Sequence, residues 1–268
     1  MYGIIRSGMA TAMHEIAVVS NNIANSGSTG FKKSDVSFTD IYGAATPDTV
    51  ARKSTGFGSA TANTRRNDGQ GTIVDRAGAL NVAIVGPGLL VISPPDETGD
   101  ASAATVYTRN GEMAIDKDGF LRASDGSFVM GISGEGGEGA TLSTLKIPYE
   151  QDGETMSQLE IAADGSIVAT YGNSTLEEIG TLAMATFPNQ GGLRNIGSAR
   201  FTQSSSSGDP KFGVGGQSGF GTLQSGALEG SNVDITQEMT VMIRAQQQFS
   251  GSARVLQANS DLVEKLTR

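Results

Sequence analysis

The start of the chain shows a regular alternation of apolar and polar positions. Apolar residues recur at spacings of four and three, and the positions between them are mostly polar. This heptad spacing predicts an amphipathic helix over residues 3–26, because it places the apolar side chains on one face. Asn25-Ser26-Gly27 is typical of a helix C-terminus. The apolar positions of this row are Ile5, Met9, Ala12, Ile16, Val19 and Ile23.

A second and longer periodic stretch lies at the other end of the chain. Asp234 and Gln237 form a capping pair at its start, so a helix over residues 235–267 is predicted. At 1.5 Å per residue this helix would be about 50 Å long. Ser252 and Asn259 dilute its apolar row, so we expect an isolated pair of the two helices to be only marginally stable. The row comprises Met242, Phe249, Leu256 and Val263, with Ala245 and Leu266 beside it.

Between the two periodic stretches, short runs of β-forming residues alternate with turn residues, which indicates antiparallel strands. Asp118-Gly119 and Asp164-Gly165 each separate an apolar residue from a β-former, as in a tight hairpin turn. Two Gly-rich stretches, residues 133–144 and 203–226, predict irregular surface. The predicted strands are residues 71–74, 80–85, 89–92, 104–108, 112–115, 120–122, 128–130, 159–161, 167–170 and 179–187.

These elements predict an α+β fold. N- and C-terminal helices form a coiled-coil-like pair, and a central antiparallel β-rich domain lies between them in sequence. A helical hairpin packed on its own domain would also explain the two periodic stretches, but their position at the two ends favours helices presented for assembly. We divide the chain into an N-terminal helix of an inner domain (1–30), an extended linker region (31–69), a central β domain (70–202), a Gly- and Ser-rich extended return segment (203–231) and the C-terminal helix of the inner domain (232–268).

Composition argues against several classes of function. The 268 residues carry a formal net charge of −9, and we interpret the basic doublets Lys32-Lys33 and Arg65-Arg66 as solvated pairs, so no nucleic-acid partner is expected. The sequence has no Cys, which excludes disulfides, thiol catalysis and Cys-ligated zinc. Neither a cleaved signal peptide nor a membrane-spanning run is expected from the apolar pattern.

The residues that could carry chemistry favour no reaction. His14 is the single histidine of the sequence, and we expect it on the surface of the first helix. Asp116 and Asp118 lack the further acidic ligands of a calcium loop. The Gly-Pro-Gly run at residues 86–88 precedes a strand-like run, unlike a dinucleotide fingerprint. We therefore expect a protein that is not an enzyme, with no cofactor, no metal site and no small-molecule substrate.

Several segments resemble the flagellar rod and hook axial protein family. Residues 20–38 contain Ser-Asn-Asn-Ile-Ala-Asn followed by Thr-Gly-Phe-Lys-Lys, which is similar to the family's N-terminal signature. Residues 70–88 and 107–119 resemble its central strand blocks, and residues 226–246 its C-terminal signature, so the resemblance covers nearly the whole chain. The motif residues singled out are Asn21, Asn22, Ala24, Asn25, Thr29, Gly30, Phe31, Ser231, Asn232 and Val233.

The resemblance implies a structural subunit of the bacterial flagellar basal-body rod. It implies that the first and last helices lie together in an inner coiled-coil tube and that the β domain forms an outer layer. The implied partners are further copies of the chain in a helical tube, other rod and hook proteins and the flagellar export apparatus. The implied location is the periplasm-spanning rod or the hook, reached by type III export without a cleaved signal peptide.

The resemblance leaves rod and hook open. Typical hook proteins of the family carry a large additional β domain, and residues 130–176 are too few to hold one, which favours the rod. Residues 226–234 resemble hook protein at least as much. From other classes, a secreted β-rich binding protein or adhesin remains an alternative, and so does a carbohydrate-active enzyme with a carboxylate-lined cleft.

The assembly interface is predicted to consist of the two apolar rows. We expect them to become ordered when they are buried against neighbouring copies, since burial supplies the free energy that a lone helix pair lacks. The predicted interface residues are Ile5, Met9, Ala12, Ile16, Val19, Ile23, Met242, Phe249, Leu256, Val263 and Leu266.

Overall fold

The chain divides into two compact units, which we call the helical unit and the β unit. The helical unit comprises Met1–Ser26, Lys33–Asn67 and Val233–Arg268, and the β unit comprises Gly27–Lys32 and Asp68–Asn232. The backbone therefore passes between the units after residues 26, 32, 67 and 232. The computed structural model describes residues 2–41, 56–96, 100–102, 104–133, 141–151, 153–172 and 175–267.

In its described residues, the helical unit contains two helices and a two-stranded ribbon. Helix α1 is Tyr2–Ala24 and helix α2 is Ile235–Thr267. Strand β1, Ser34–Asp40, pairs antiparallel with strand β2, Ser59–Arg66. The prediction of N- and C-terminal helices is confirmed, with bounds within two residues of those expected from the hydrophobic repeat. Neither helix, over the residues described, is both long enough and apolar enough to span a membrane.

Helices α1 and α2 pack against each other in antiparallel directions. Asn22, near the end of α1, bonds to Glu238 near the start of α2. Near the other end, a Cβ on Gly8 would lie 3.8 Å from Ser252 Oγ. The start of α2 is capped by Asp234, whose Oδ1 accepts the backbone N–H groups of the second and third helical residues at 2.9 and 3.2 Å. Coiled-coil winding of the pair stays a prediction.

The β unit consists of short antiparallel strands with one 3₁₀ turn, Gln190–Gly192. Both Asp-Gly hairpin turns are confirmed: one joins Met113–Ile115 to Leu121–Ala123, with Gly119 at φ +82°, and the other joins Glu154–Ile161 to Ser166–Tyr171, with Gly165 at φ +90°. The strands are β3 (Ile73–Asp75), β4 (Val82–Val85), β5 (Leu89–Ser93), β6 (Val106–Thr108), β7 (Met113–Ile115), β8 (Leu121–Ala123), β9 (Phe128–Ser133), β10 (Thr141–Thr144), β11 (Glu150–Gln151), β12 (Glu154–Ile161), β13 (Ser166–Tyr171), β14 (Thr175–Leu182), β15 (Met184–Thr186), β16 (Arg194–Gly197), β17 (Arg200–Thr202), β18 (Lys211–Gly213), β19 (Thr222–Ser225) and β20 (Ala227–Glu229).

One large sheet dominates the β unit, and β5 lies near its middle. The sheet runs in the order β11, β12, β13, β14, β9, β5, β6, β17, β16, with further strands attached at β9 and β5. Leu90 and Ile92 of β5 belong to one apolar core, and Leu89 and Val91 belong to a second core on the opposite face. Both faces of β5 are therefore buried, which explains its continuous apolar sequence. Two separate pairs, β19 with β4 and β20 with β3, complete the unit.

The Gly-rich stretches differ from their predicted irregular structure. Within residues 203–226, β18 pairs with β15 and β19 pairs with β4, so the prediction of irregular surface was wrong for these strands. Residues 134–140 of the other stretch lie outside the described residues, and residues 141–144 form β10. Sequence reasoning missed these strands because Ser and Gly between them hide the short β-forming runs.

Candidate functional site

The two apolar rows predicted as an assembly interface lie on helices that pack against each other. Ala12 and Val19 of α1 are buried, and the opposing row of α2 centres on the fully buried Ala245. Seven further predicted positions are half-buried: Ile5, Met9, Ile16, Ile23, Met242, Phe249 and Leu256. Val263 and Leu266, in contrast, are exposed, at 46% and 84%. A role of any of these residues in assembly stays a prediction.

Helix α2 also presents apolar side chains on the face that turns away from α1. Ile235, Met239 and Ile243 are 45%, 50% and 55% exposed and follow one another at four-residue spacing, which places them along one side of the helix. A shallow groove continues this face past Ser250 to Arg254. The helical unit thus has a second apolar row that sequence reasoning did not single out, because the heptad row through Met242 and Leu256 was the stronger pattern.

Among the motif residues, Asn22 ties three elements of the helical unit together. Its side-chain nitrogen donates to Ser34 O at 2.9 Å and to Glu238 Oε2 at 3.0 Å, and its side-chain oxygen accepts Ser34 N–H at 3.0 Å. Both Asn22 and Glu238 are buried. Lys33 lies 3.5 Å from the other carboxylate oxygen of Glu238. Because a buried amide must find partners, Asn22 fixes the end of α1 against the start of β1 and against α2.

The neighbouring motif residues have simpler roles. Asn25 Nδ2 donates to Asn21 O at 2.9 Å and closes the last turn of α1. Asn21 and Ala24 are exposed, Thr29, Phe31 and Val233 are half-buried, and Gly30 and Ser231 are buried. Of the motif residues, Thr29, Gly30, Phe31, Ser231 and Asn232 belong to the β unit.

A buried cluster of three charged side chains lies among these motif residues in the β unit. Glu229, which is fully buried, accepts Lys32 Nζ on Oε1 at 2.5 Å and Arg109 Nη1 on Oε2 at 2.9 Å. Lys32 and Arg109 are 6% and 5% exposed. Burial is the main cause that lowers the pKa of Lys32, and the bond to Glu229 opposes it. We call Lys32, Arg109 and Glu229 the ion cluster.

Backbone groups satisfy the remaining polar atoms of the ion cluster. Lys32 Nζ also donates to Gly69 O at 2.8 Å, and Glu229 Oε1 also accepts Gly71 N–H at 2.8 Å. The Arg109 guanidinium donates to the carbonyls of residues 84 and 86 at 3.2 and 2.7 Å. The three charges are therefore held by charge-assisted bonds, which are the stronger class of hydrogen bond in a buried site.

The position of Gly30, next to the ion cluster, has no room for a side chain. Its φ is +69°, and a Cβ there would lie 2.8 Å from Asn110 N and 2.9 Å from the carbonyl carbon of Arg109. Its N–H donates to Glu229 O at 2.8 Å. The backbone of residues 27–32 thus approaches the backbone beside Arg109 more closely than a side chain would permit.

Sequence reasoning missed the ion cluster, and its interpretation of Lys32 as solvated was wrong. Lys32, Arg109 and Glu229 are far apart in sequence, and a single charge has no periodicity that would reveal its burial. Lys32 is nevertheless flanked by Phe31, and Glu229 follows two buried residues of β20. The position of these two charged residues beside apolar residues is the sequence feature that could have indicated their burial.

The other candidate residues show no chemical site. His14 is exposed, as expected, and its Nε2 lies 3.0 Å from Thr64 Oγ1. Across the residues that the structure describes, no group of three or more His, Asp or Glu side chains is arranged to hold a metal.

Three family profiles match three separate parts of the chain. The profile described as "Flagella basal body rod protein" matches residues 4–32, and that described as "Flagellar hook protein FlgE/F/G D1 domain" matches residues 83–169. The profile described as "Flagellar basal body rod FlgEFG protein C-terminal" matches residues 224–268. Each of the three matched regions contains one member of the ion cluster.

Full-length relatives agree with these profiles. The chain is 32% identical to the flagellar basal-body rod protein FlgG of Bacillus subtilis, over 97% of this chain and 95% of that protein. It is 28% identical to FlgG of Agrobacterium fabrum, over 99% of this chain and 97% of that protein. It is also 40% identical to the flagellar hook protein FlgE of Treponema pallidum, over 47% of this chain and 27% of that protein. The chain therefore belongs to the family of flagellar basal-body rod and hook proteins.

Proposed function

We propose that this chain is a structural subunit of the flagellar basal-body rod and polymerises through α1 and α2 into the tubular axis that carries motor torque to the filament. The observation that carries the proposal is the similarity to rod proteins over nearly the whole length of both chains. The hook relative is similar over 47% of this chain. This difference favours the rod over a short hook protein.

The exposed apolar positions of α2 support a role in assembly. Ile235, Met239 and Ile243 are exposed apolar side chains, and Val263 and Leu266 extend the apolar surface towards the C-terminal end of α2. Burial of apolar surface contributes about 25 cal/mol per Å², so a neighbouring copy would gain stability by covering these rows. A head-to-tail contact of this kind builds an open helical polymer when its rotation does not close into a ring.

The remaining parts of the proposal concern partners and location. We infer that residues 1–30 and 232–268 form the inner layer of the tube and that the central β domain, residues 70–202, forms the outer layer. Other rod and hook proteins are the inferred neighbours, and the flagellar export apparatus is the inferred route of export. The role is structural, and we propose no catalytic activity.

Substitution of Ile243 tests assembly without changing the contact of α2 with α1. Ile243→Asp places a charge on the outward face, so the β unit should keep its fold and the chain should fail to polymerise. Gln248→Asp is the matched control, since Gln248 is also exposed on α2. Negative-stain microscopy of purified protein and motility of complemented cells give the two readouts. Full-length axes built by the Ile243→Asp variant would overturn the proposal.

A second experiment separates the rod subunit from a secreted binding protein. The double substitution Ile16→Asp and Leu256→Asp disrupts the predicted interface and should leave a folded β unit that does not assemble.

Circular dichroism of the wild-type chain, measured as a function of its concentration, tests whether the terminal helices depend on assembly. Helical signal that rises with assembly is expected here, whereas terminal helices that are stable and independent of concentration would favour the binding protein.

A further inference from the structure

The ion cluster lies where the backbone enters and leaves the β unit. Lys32 is the last residue of the inserted segment Gly27–Lys32, and Gly69, which its ammonium contacts, is the second residue after the chain returns at Asp68. Asn232 is the last residue of the unit and donates its backbone N–H to Phe31 O at 3.4 Å and its side chain to Gly69 O at 3.0 Å. Three of the four chain crossings, those after residues 32, 67 and 232, are therefore close together in space, because residues beside them are joined by hydrogen bonds.

Glu229 is the group that these segments share. Its carboxylate binds Lys32 at the end of the inserted segment and Gly71 in the returning segment, and its own carbonyl accepts Gly30 N–H. Arg109 holds the second carboxylate oxygen and is itself fixed by two backbone carbonyls. Lys32 and Gly71 are thus held by the same carboxylate, and Gly30 is held by the carbonyl of the same residue. Removing the carboxylate charge would leave two buried cations with a weaker set of partners.

We propose that Lys32, Arg109 and Glu229 form a latch that seats residues 27–32 in the β unit, so that the three chain crossings beside it open and close in one step. Separate hydrogen bonds would allow each crossing to open independently. A shared, buried carboxylate couples them, because removing one segment from it weakens the placement of the others. The latch also gives the Thr29-Gly30-Phe31 motif a physical role, which is to bring Lys32 to Glu229.

Amide hydrogen exchange measured by NMR on the full-length chain tests this coupling. In the wild type, the amides of Gly30, Gly71 and Asn232 should share one opening equilibrium constant. The core amide of Ala183, which donates to Met130 O at 2.9 Å, should open more rarely. This measurement requires no substitution, and three different opening constants would overturn the proposal.

Substitution of the shared carboxylate gives the second readout. Glu229→Gln keeps the shape and removes the charge, and exchange at Gly30, Gly71 and Asn232 should accelerate together by about 10²- to 10³-fold. Exchange at Ala183 should remain slow. The matched control is Glu112→Gln, an exposed carboxylate of the same unit, which should leave all four amides unchanged.

The possible outcomes are distinct. Acceleration at Gly71 without acceleration at Gly30 and Asn232 would show a local contact and not a latch. If Glu229→Gln does not fold, the wild-type pattern still decides, together with Lys32→Gln, which leaves the Arg109–Glu229 pair intact and should accelerate the same three amides to a smaller extent. None of these outcomes depends on whether the chain polymerises, so the latch and the proposed rod function fail separately.

Discussion

Gly30→Ala tests the close backbone approach beside the ion cluster. The substitution adds one methyl group at a residue with φ +69°, where its carbon would lie 2.8 Å from Asn110 N and 2.9 Å from the carbonyl carbon of Arg109. Both neighbours are backbone atoms and cannot rotate away. We therefore expect a loss of stability from backbone conformation and a further loss from the displaced backbone.

The two contributions can be estimated separately. A left-handed backbone costs a residue with a Cβ about 1–2 kcal/mol relative to glycine, and overpacking a well-filled site costs about 1–3 kcal/mol more. Gly126→Ala is the matched control, because Gly126 has φ +84° and open space where its Cβ would be. The control should lose about 1–2 kcal/mol of unfolding free energy, and Gly30→Ala about 2–5 kcal/mol.

Urea denaturation followed by tyrosine fluorescence measures this difference. Tyr107 and Tyr171 are both buried in the β unit, so their emission reports the unfolding of that unit. At about 2–4 °C per kcal/mol for a unit of this size, thermal melts should show the same order of stability. Equal losses in the two alanine variants would refute the argument that Gly30 is required for close approach, and would leave backbone conformation as its sole role.

Two further predictions concern the cap of α2 and the response to alkali. Asp234→Ala removes the acceptor of two backbone N–H groups and should cost about 1 kcal/mol of helical stability, whereas Asp234→Asn should retain most of it; thermal melts at the helical circular dichroism band compare them. Burial raises the pKa of Tyr107 above its usual value of 10.0, and a hydrogen bond with Thr105 opposes this shift. The stability gained by burying the neutral phenol is therefore present below pH 10 and is lost as the pH rises through the higher folded-state pKa. Urea titrations between pH 8 and pH 11 should therefore show a shallower fall for Tyr107→Phe than for the wild type, and identical slopes would contradict this assignment.

The helices could be predicted from sequence because their pattern is repeated many times. Six apolar positions at spacings of four and three define α1, and α2 has four apolar positions at spacings of seven. Strands such as β5 were also predictable, since Leu89 to Ile92 form a continuous apolar run that is buried on both faces. In each case the local sequence alone specifies the burial.

The ribbon of β1 and β2 could not be predicted in this way. Ser34–Asp40 and Ser59–Arg66 are mostly exposed and mostly polar, and their alternation of apolar with polar residues is too short to identify a half-buried strand. The two strands are paired by long-range backbone hydrogen bonds, which leave no hydrophobic periodicity in the sequence. The same holds for the ion cluster, since the burial of Lys32 depends on where a residue 197 positions later comes to lie.

The contact of Asn232 with Gly69 has a consequence for how such subunits can vary. A stretch of more than 160 residues begins and ends at nearly the same point in space, at a separation that one hydrogen bond spans. Domains with adjacent ends tolerate insertion and exchange, because a replacement needs only to match the distance between its two attachment points. Larger or smaller β units could therefore be exchanged at this junction while the terminal helices keep their sequence and their pairing.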